Sequence, residues 1–199
     1  MRTATLVLIG TLLLGGQVTA QMKPVQTHQG LWGGFGAGAG LNLTDLDNAG
    51  SLWGFAGYGR IGGTLNQRVL LAGESAIWVG SRDGVGHTSG NLSAIIMFYP
   101  SPKGGLFLRG GIGISYVMTS IDQSATVGGI LYQTSVSQTK GGFGATASVG
   151  HDLRLGRNLY LVPEVGYYLQ VVGSQTSTTF GTTPGTNNII TFSLGLVWH

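Results

Sequence analysis

Apolar residues alternate with small or polar ones along most of the chain, most plainly from Trp53 to Val79. Trp53, Phe55, Gly57, Gly59 and Ile61 fall on one face, with Tyr58 and Arg60 on the other. After Leu65-Asn66-Gln67-Arg68 the alternation resumes: Val69, Leu71, Ile77 and Val79 share the apolar face and Glu74 lies on the opposite one. Period two over this length predicts paired β-strands. A hairpin folded about Gln67, with a three-residue loop, sets Arg60 directly across from Glu74. An oily outer face over a hidden ion pair inverts the pattern of a soluble sheet and matches strands that face lipid.

Six further strands follow from the same pattern. Leu31–Leu41 sets Leu31, Phe35, Ala37, Ala39 and Leu41 against Gly34, Gly36, Gly38 and Gly40. Those glycines leave space inside for Tyr58 and Arg60 of the next strand. Gly90–Tyr99 turns Leu92, Ala94, Ile96 and Phe98 outward, and Leu106–Met118 turns Arg109 inward beneath Leu108, Ile112, Ile114 and Tyr116. Lys140–His151 places Phe143, Ala145, Ala147 and Val149 outward, with Thr146 and Ser148 inward. Leu159–Val172 directs Tyr160, Glu164, Tyr168 and Gln170 inward, and a local bulge is expected at Pro163, which has no amide to donate. The last strand sends Ile190, Phe192, Leu194, Leu196 and Trp198 outward.

Connections alternate in length. Short ones fall near 66–68, 100–105 and 152–158; long polar ones fall near 42–51, 81–89, 119–139 and 173–187. Within 119–139, Gly128-Gly129 marks a hairpin turn, so the fifth and sixth strands are expected to run on as a two-stranded arm. The expected fold is all-β: an eight-stranded antiparallel up-and-down transmembrane β-barrel spanning 21–199, with both termini on the short-turn side. Closure pairs every backbone amide, which lipid demands. Phe98, Phe107, Tyr160 and Trp198 near one end, and Trp53, Phe55, Tyr116 and Tyr167 near the other, suggest two aromatic girdles, although Phe107 and Tyr160 have inward parity.

Composition agrees. Charged residues are 9% of the 199, against roughly 25% in soluble domains. Residues 1–20 read as a secretory signal: Arg2, an apolar run from Ala4 to Leu14 too short to span as a helix, and Val18-Thr19-Ala20 before a cut. The absence of cysteine excludes a disulfide framework and a lipoprotein anchor. The net charge of +3 comes from dispersed residues with no basic cluster, so nucleic acid is not an expected partner.

These features resemble the small bacterial outer-membrane β-barrels of the OmpA/OmpX-like group. The resemblance covers most of residues 30–199 and rests on the signal, the alternation, the loop asymmetry and the end Phe192-Ser-Leu-Gly-Leu-Val-Trp198-His199. It implies residence in the outer membrane, contact with its lipids and lipopolysaccharide, and recognition of the last strand by the barrel-assembly machinery. In the usual pattern the aromatic residue is last, whereas here His199 follows it.

Arg60, Glu74, Arg109 and Glu164 are the mid-strand charges of inward parity. Two positive and two negative groups inside a barrel this narrow form a neutral plug that holds strand register; a gated polar path or a catalytic carboxylate is the rival reading. His28, His87, His151 and His199 lack metal-ligand spacing, and no cofactor or metal is expected. Lipid A deacylases share the barrel and use a Ser/His/Glu set; Ser148, His151 and Glu164 are near in sequence, but the first and last point away from lipid. The period of two in Gly34–Gly40, with no helix after it, makes those residues strand glycines rather than a phosphate loop. A lipocalin-like reading of Gly30-Leu-Trp32 leaves too few charges for a soluble surface. The expected role is non-catalytic, with outside loops as contact surfaces and Ile130, Leu131 and Tyr132 as the foremost candidates. A narrow channel for small solutes is the alternative.

Overall fold

The computed structural model describes residues 30–44, 50–102, 104–127, 130–173 and 185–199. The expected signal, the loop with Asp45, Asp47 and Asn48, Gly128-Gly129 and the loop 174–184 lie outside the described residues. Among the described residues nine strands occur: β1 Leu31–Thr44, β2 Gly50–Asn66, β3 Val69–Arg82, β4 Val85–Phe98, β5 Leu106–Val127, β6 Ile130–His151, β7 Leu153–Arg154, β8 Leu159–Val172 and β9 Gly185–Trp198. All pairings are antiparallel between neighbours, β9 returns to β1, and a β6–β8 pairing closes the sheet. The two-residue β7 continues the line of β6, so eight strands make the wall.

Partners traced once around the wall run from Gly34 through Arg60, Glu74, Ser93, Gly113, Gly144, Gln170 and Asn187 to Thr44. The path returns to β1 ten residues beyond its start (44 − 34), which is the shear of the barrel. Strands in such a barrel tilt by roughly 35–45°. Phe35, Trp53, Phe55, Ile112, Ile114, Phe143 and Leu194 are exposed on the outside, while Arg60, Glu74, Arg109 and Glu164 are buried within. The orientation expected from parity therefore holds.

Arg60 pairs with Glu74 as expected, but the hairpin is built differently. Asn66 pairs with Val69 across a two-residue turn, and the register shifts between Thr64 and Asn66. A bulge thus supplies the offset assigned in the sequence to a three-residue loop. Asn66 Oδ1 accepts from the amides of Arg68 and Val69 at 2.9 and 3.0 Å, which holds the turn.

The 81–89 segment is not a loop. β3 and β4 pair to Arg82 and Val85, and Asp83-Gly84 alone makes the turn, with φ of 52° and 77°. Two positive φ angles match the twist of a tight hairpin, and Asp-Gly suits them. The arm expected from 119–139 is present: β5 and β6 pair out to Val127 and Ile130. Pro163 produces no bulge, because β8 keeps one register with β9 throughout. Its effect falls on the other side, where pairing stops at Gly150–Glu164 and resumes in the same register at Leu153–Leu161. The missing donor opens a gap in the ladder that separates β7 from β6.

Candidate functional site: the closed lumen

Inward side chains fill the barrel in layers. At the end that carries the termini, Trp32, Leu70, Ile95, Met97, Tyr99, Phe107, Tyr160, Val162 and Val197 form one buried apolar cluster. Phe107 and Tyr160 belong to this plug and not to an outer girdle. His199 closes over it, its ring 5.2 Å from that of Tyr160 and 6.0 Å from that of Trp32. Sequence reading missed this layer; the signal was apolar residues of inward parity close to the short turns.

Above it sits the charged layer. Arg60 Nε donates to Glu74 Oε2 at 2.5 Å, and its two terminal nitrogens donate to both oxygens of Glu164 at 2.7 and 2.8 Å. Arg109 Nη1 donates to Glu74 at 2.5 and 2.6 Å, and Arg109 Nη2 lies 3.0 Å from Glu164 Oε1. The four groups form a closed neutral ring linking β2, β3, β5 and β8 across the lumen. Tyr58 lies under the Arg60 guanidinium, 3.8 Å from its ring centre.

Space for this ring is made by the strands between. Each charge is paired across the ladder with a small residue: Arg60 with Gly34, Glu74 with Ser93, Arg109 with Ser148 and Glu164 with Ser193. Ser148 Oγ accepts from Arg109 Nε at 2.8 Å. Tyr58 lies against Gly36 and Gly195, where a Cβ would strike its ring or hydroxyl. Buried charge is tolerated only when paired and fully hydrogen-bonded, and this arrangement supplies both.

A third layer is made of amides. Gln170 donates to Asn91 Oδ1 at 2.7 Å and accepts from Asn187 Nδ2 at 2.7 Å. Trp78 lies beside it, its indole N–H donating to Gly40 O at 3.0 Å.

All four predicted interior residues thus meet in one network. Ser148, His151 and Glu164 do not make a catalytic relay: the arginines engage the first and last, and His151 is exposed beside Gly105 at the rim. Among the described residues no group of His, Asp or Glu side chains is arranged to hold a metal. The backbone of Ile130, Leu131 and Tyr132 lies at the tip of the arm, opposite Val127, Thr126 and Ala125. Their side chains lie outside the described residues.

Asp152 sits in the break between β6 and β7, buried, and accepts from the Tyr99 hydroxyl at 2.9 Å. Burial pushes its carboxyl up from 3.8 to about 7, while the Tyr99 hydrogen bond acts in the opposite direction. The folded state therefore holds this proton more tightly than the unfolded chain. Stability from this group is complete below the unfolded value and is lost as pH rises through about 7. Asp152→Asn is expected to remove that part of the pH dependence, raising the unfolding temperature at pH 8 relative to the parent with little change at pH 4. Parallel pH profiles for both proteins would contradict this.

The fold is that of the small outer-membrane β-barrels, eight antiparallel strands running up and down. Neisserial surface protein A superposes with a TM-score of 0.53 at 18% identity, covering 85% of this chain and 97% of that one. Ail, the attachment invasion locus protein of Yersinia pestis, gives 0.52 at 14% identity, covering 85% and 98%. No protein-family profile matches the chain, and no curated protein matches it by sequence.

Proposed function

We propose that this chain is an integral protein of the bacterial outer membrane, non-catalytic and non-conducting, whose barrel anchors a protruding contact surface. The observation that carries the proposal is the blocked lumen: a closed four-charge ring with an apolar plug beneath it. Such a column, packed across the lumen, supports a register-holding rather than a conducting role. The exposed belt of Phe35, Phe55, Ile112, Ile114 and Leu194 meets lipid, with Trp53 and Trp198 nearer its edges. The terminal rim faces the periplasm, and the arm of β5 and β6 reaches outward beside lipopolysaccharide, with Ile130, Leu131 and Tyr132 as contact residues. The strand Gly185–Trp198 is the segment offered to the barrel-assembly machinery.

Planar-bilayer recording of the refolded protein tests the blocked lumen directly. No steady current is expected at either polarity. A reproducible unitary conductance would favour the rival channel reading. Release of fatty acid from lipopolysaccharide by the purified protein would overturn the non-catalytic role.

A further inference from the structure

Basic residues collect at the end that carries the termini. Arg68 is exposed in the β2–β3 turn. Arg154 ends β7, half-buried, and Arg157 is exposed in the turn that follows. Asp152 is the one acidic side chain at that end among the described residues, and it is buried against Tyr99. No salt bridge among the described residues engages Arg68 or Arg157. The arm end is mixed in sign, because Arg82 and Lys140 share it with Asp83 and Asp122. Positive charge is thus concentrated at one rim of a barrel whose lumen charges cancel.

The same turns are oily. Leu153, Leu155 and Leu159 are exposed around the two arginines, and Leu65 is exposed three residues before Arg68. Trp198 pairs with Leu159 and is exposed beside that turn. The turn is held in shape by its own backbone and by Arg154. Arg154 Nε donates to Gly156 O at 2.8 Å and its Nη2 to Arg157 O at 3.0 Å. The amides of Leu155 and Gly156 both donate to Leu159 O, at 2.9 and 3.1 Å. Leucines interleaved with guanidinium groups suit neither water alone nor hydrocarbon alone. They fit the height at which acyl chains give way to head groups. Cations at that height attract anionic head groups, and a guanidinium can bond two phosphate oxygens at once. A soluble acidic partner would engage the arginines and leave the leucines unanswered. We propose that the terminal rim docks anionic phospholipid: a phosphate at Arg157 with acyl chains along Leu153, Leu155, Leu159 and Trp198, and a second at Arg68 beside Leu65. This rests on the reading that the exposed belt meets lipid, and it adds which lipid the terminal side selects.

Trp198 is placed to report the lipid at this turn. Trp53→Phe removes the other exposed tryptophan, since Trp32 and Trp78 are buried. The refolded full-length Trp53→Phe protein is inserted in phosphatidylcholine vesicles that carry a minor share of brominated lipid, whose bromines quench a neighbouring indole. The brominated lipid is either phosphatidylglycerol or phosphatidylcholine. Phosphatidylglycerol is expected to be enriched at Trp198 about fivefold, the equivalent of roughly 1 kcal/mol for one basic residue near the surface. The enrichment should shrink in high salt, which screens exposed charge. Arg157→Gln should bring it close to parity, whereas Arg82→Gln at the arm end should leave it unchanged. Heat-modifiable gel migration checks that each variant is folded. Equal quenching by the two lipids, or an enrichment that survives Arg157→Gln, would overturn the lipid selection and leave the membrane reading standing. Quenching by neither lipid would overturn both.

Discussion

Arg109→Ala is expected to lower the unfolding temperature in detergent far more than Arg82→Ala. Arg109 is buried and contacts both carboxylates of the ring. Its removal leaves one net negative charge, buried, among Arg60, Glu74 and Glu164. Breaking a buried pair in this way costs about 3–5 kcal/mol. Arg82 is exposed at the end of β3, where it donates to Ser51 O at 2.5 Å. Exposed substitutions of this kind usually stay within about 0.5 kcal/mol. The interior assignment would fall if the two variants melted together. A neutral pair of changes gives a second reading: Arg109→Met with Glu164→Gln should lose less than the sum of the single variants, because contacting residues couple.

Gly36→Val is expected to be the other severe change, with Gly59→Val as its near-silent counterpart. The two glycines are close in the same sheet, since Gly59 pairs with Phe35, next to Gly36. A Cβ at Gly36 would fall 2.5 Å from Tyr58 Cζ. Tyr58 cannot yield freely, because it is packed under Arg60 at 3.8 Å and also lies against Gly195. Overpacking a filled interior costs typically about 1–3 kcal/mol, and here it also disturbs the charged ring. At Gly59 nothing lies within 4 Å of the added atom. Urea titration of both variants in detergent provides the comparison. A Gly59 variant as damaged as the Gly36 variant would mean that the sheet, and not the lumen, sets the requirement for glycine.

Parity along the strands was enough to separate the outside from the inside, because a one-residue slip would turn every side chain to the wrong face. That is why Phe55, Ile112 and Leu194 could be placed on the outer surface, and Arg60 and Glu74 paired across one hairpin. Parity assigns a face but not a height. Arg109 and Glu74 stand on strands separated by β4, and Arg60 and Glu164 on strands separated by β1 and β9. Whether they meet depends on the stagger accumulated around the wall, which only the complete set of pairings defines. The 81–89 segment was misread for a different reason. Its polar residues suggested a loop, whereas strands that continue beyond the exposed apolar belt need no apolar face. The turn chemistry of Asp83-Gly84 was the better guide. At Pro163 the missing donor was recognised, but not the side of β8 on which its absence would be felt.

The charged ring also carries an implication for assembly. The β2–β3 hairpin brings its own opposite charges together, so it is neutral on that account before the rest of the wall forms. Glu164 enters the chain about a hundred residues later, on a strand adjoining the last one. Arg109 stands only one strand away across β6, but Arg60 is in reach only once the curved sheet has come round upon itself. The Arg60–Glu164 link therefore acts as a latch, engaged by the final stitching of the wall and idle before it. Loss of the Glu164 carboxylate should leave early insertion of the hairpins untouched and delay the last zippering step.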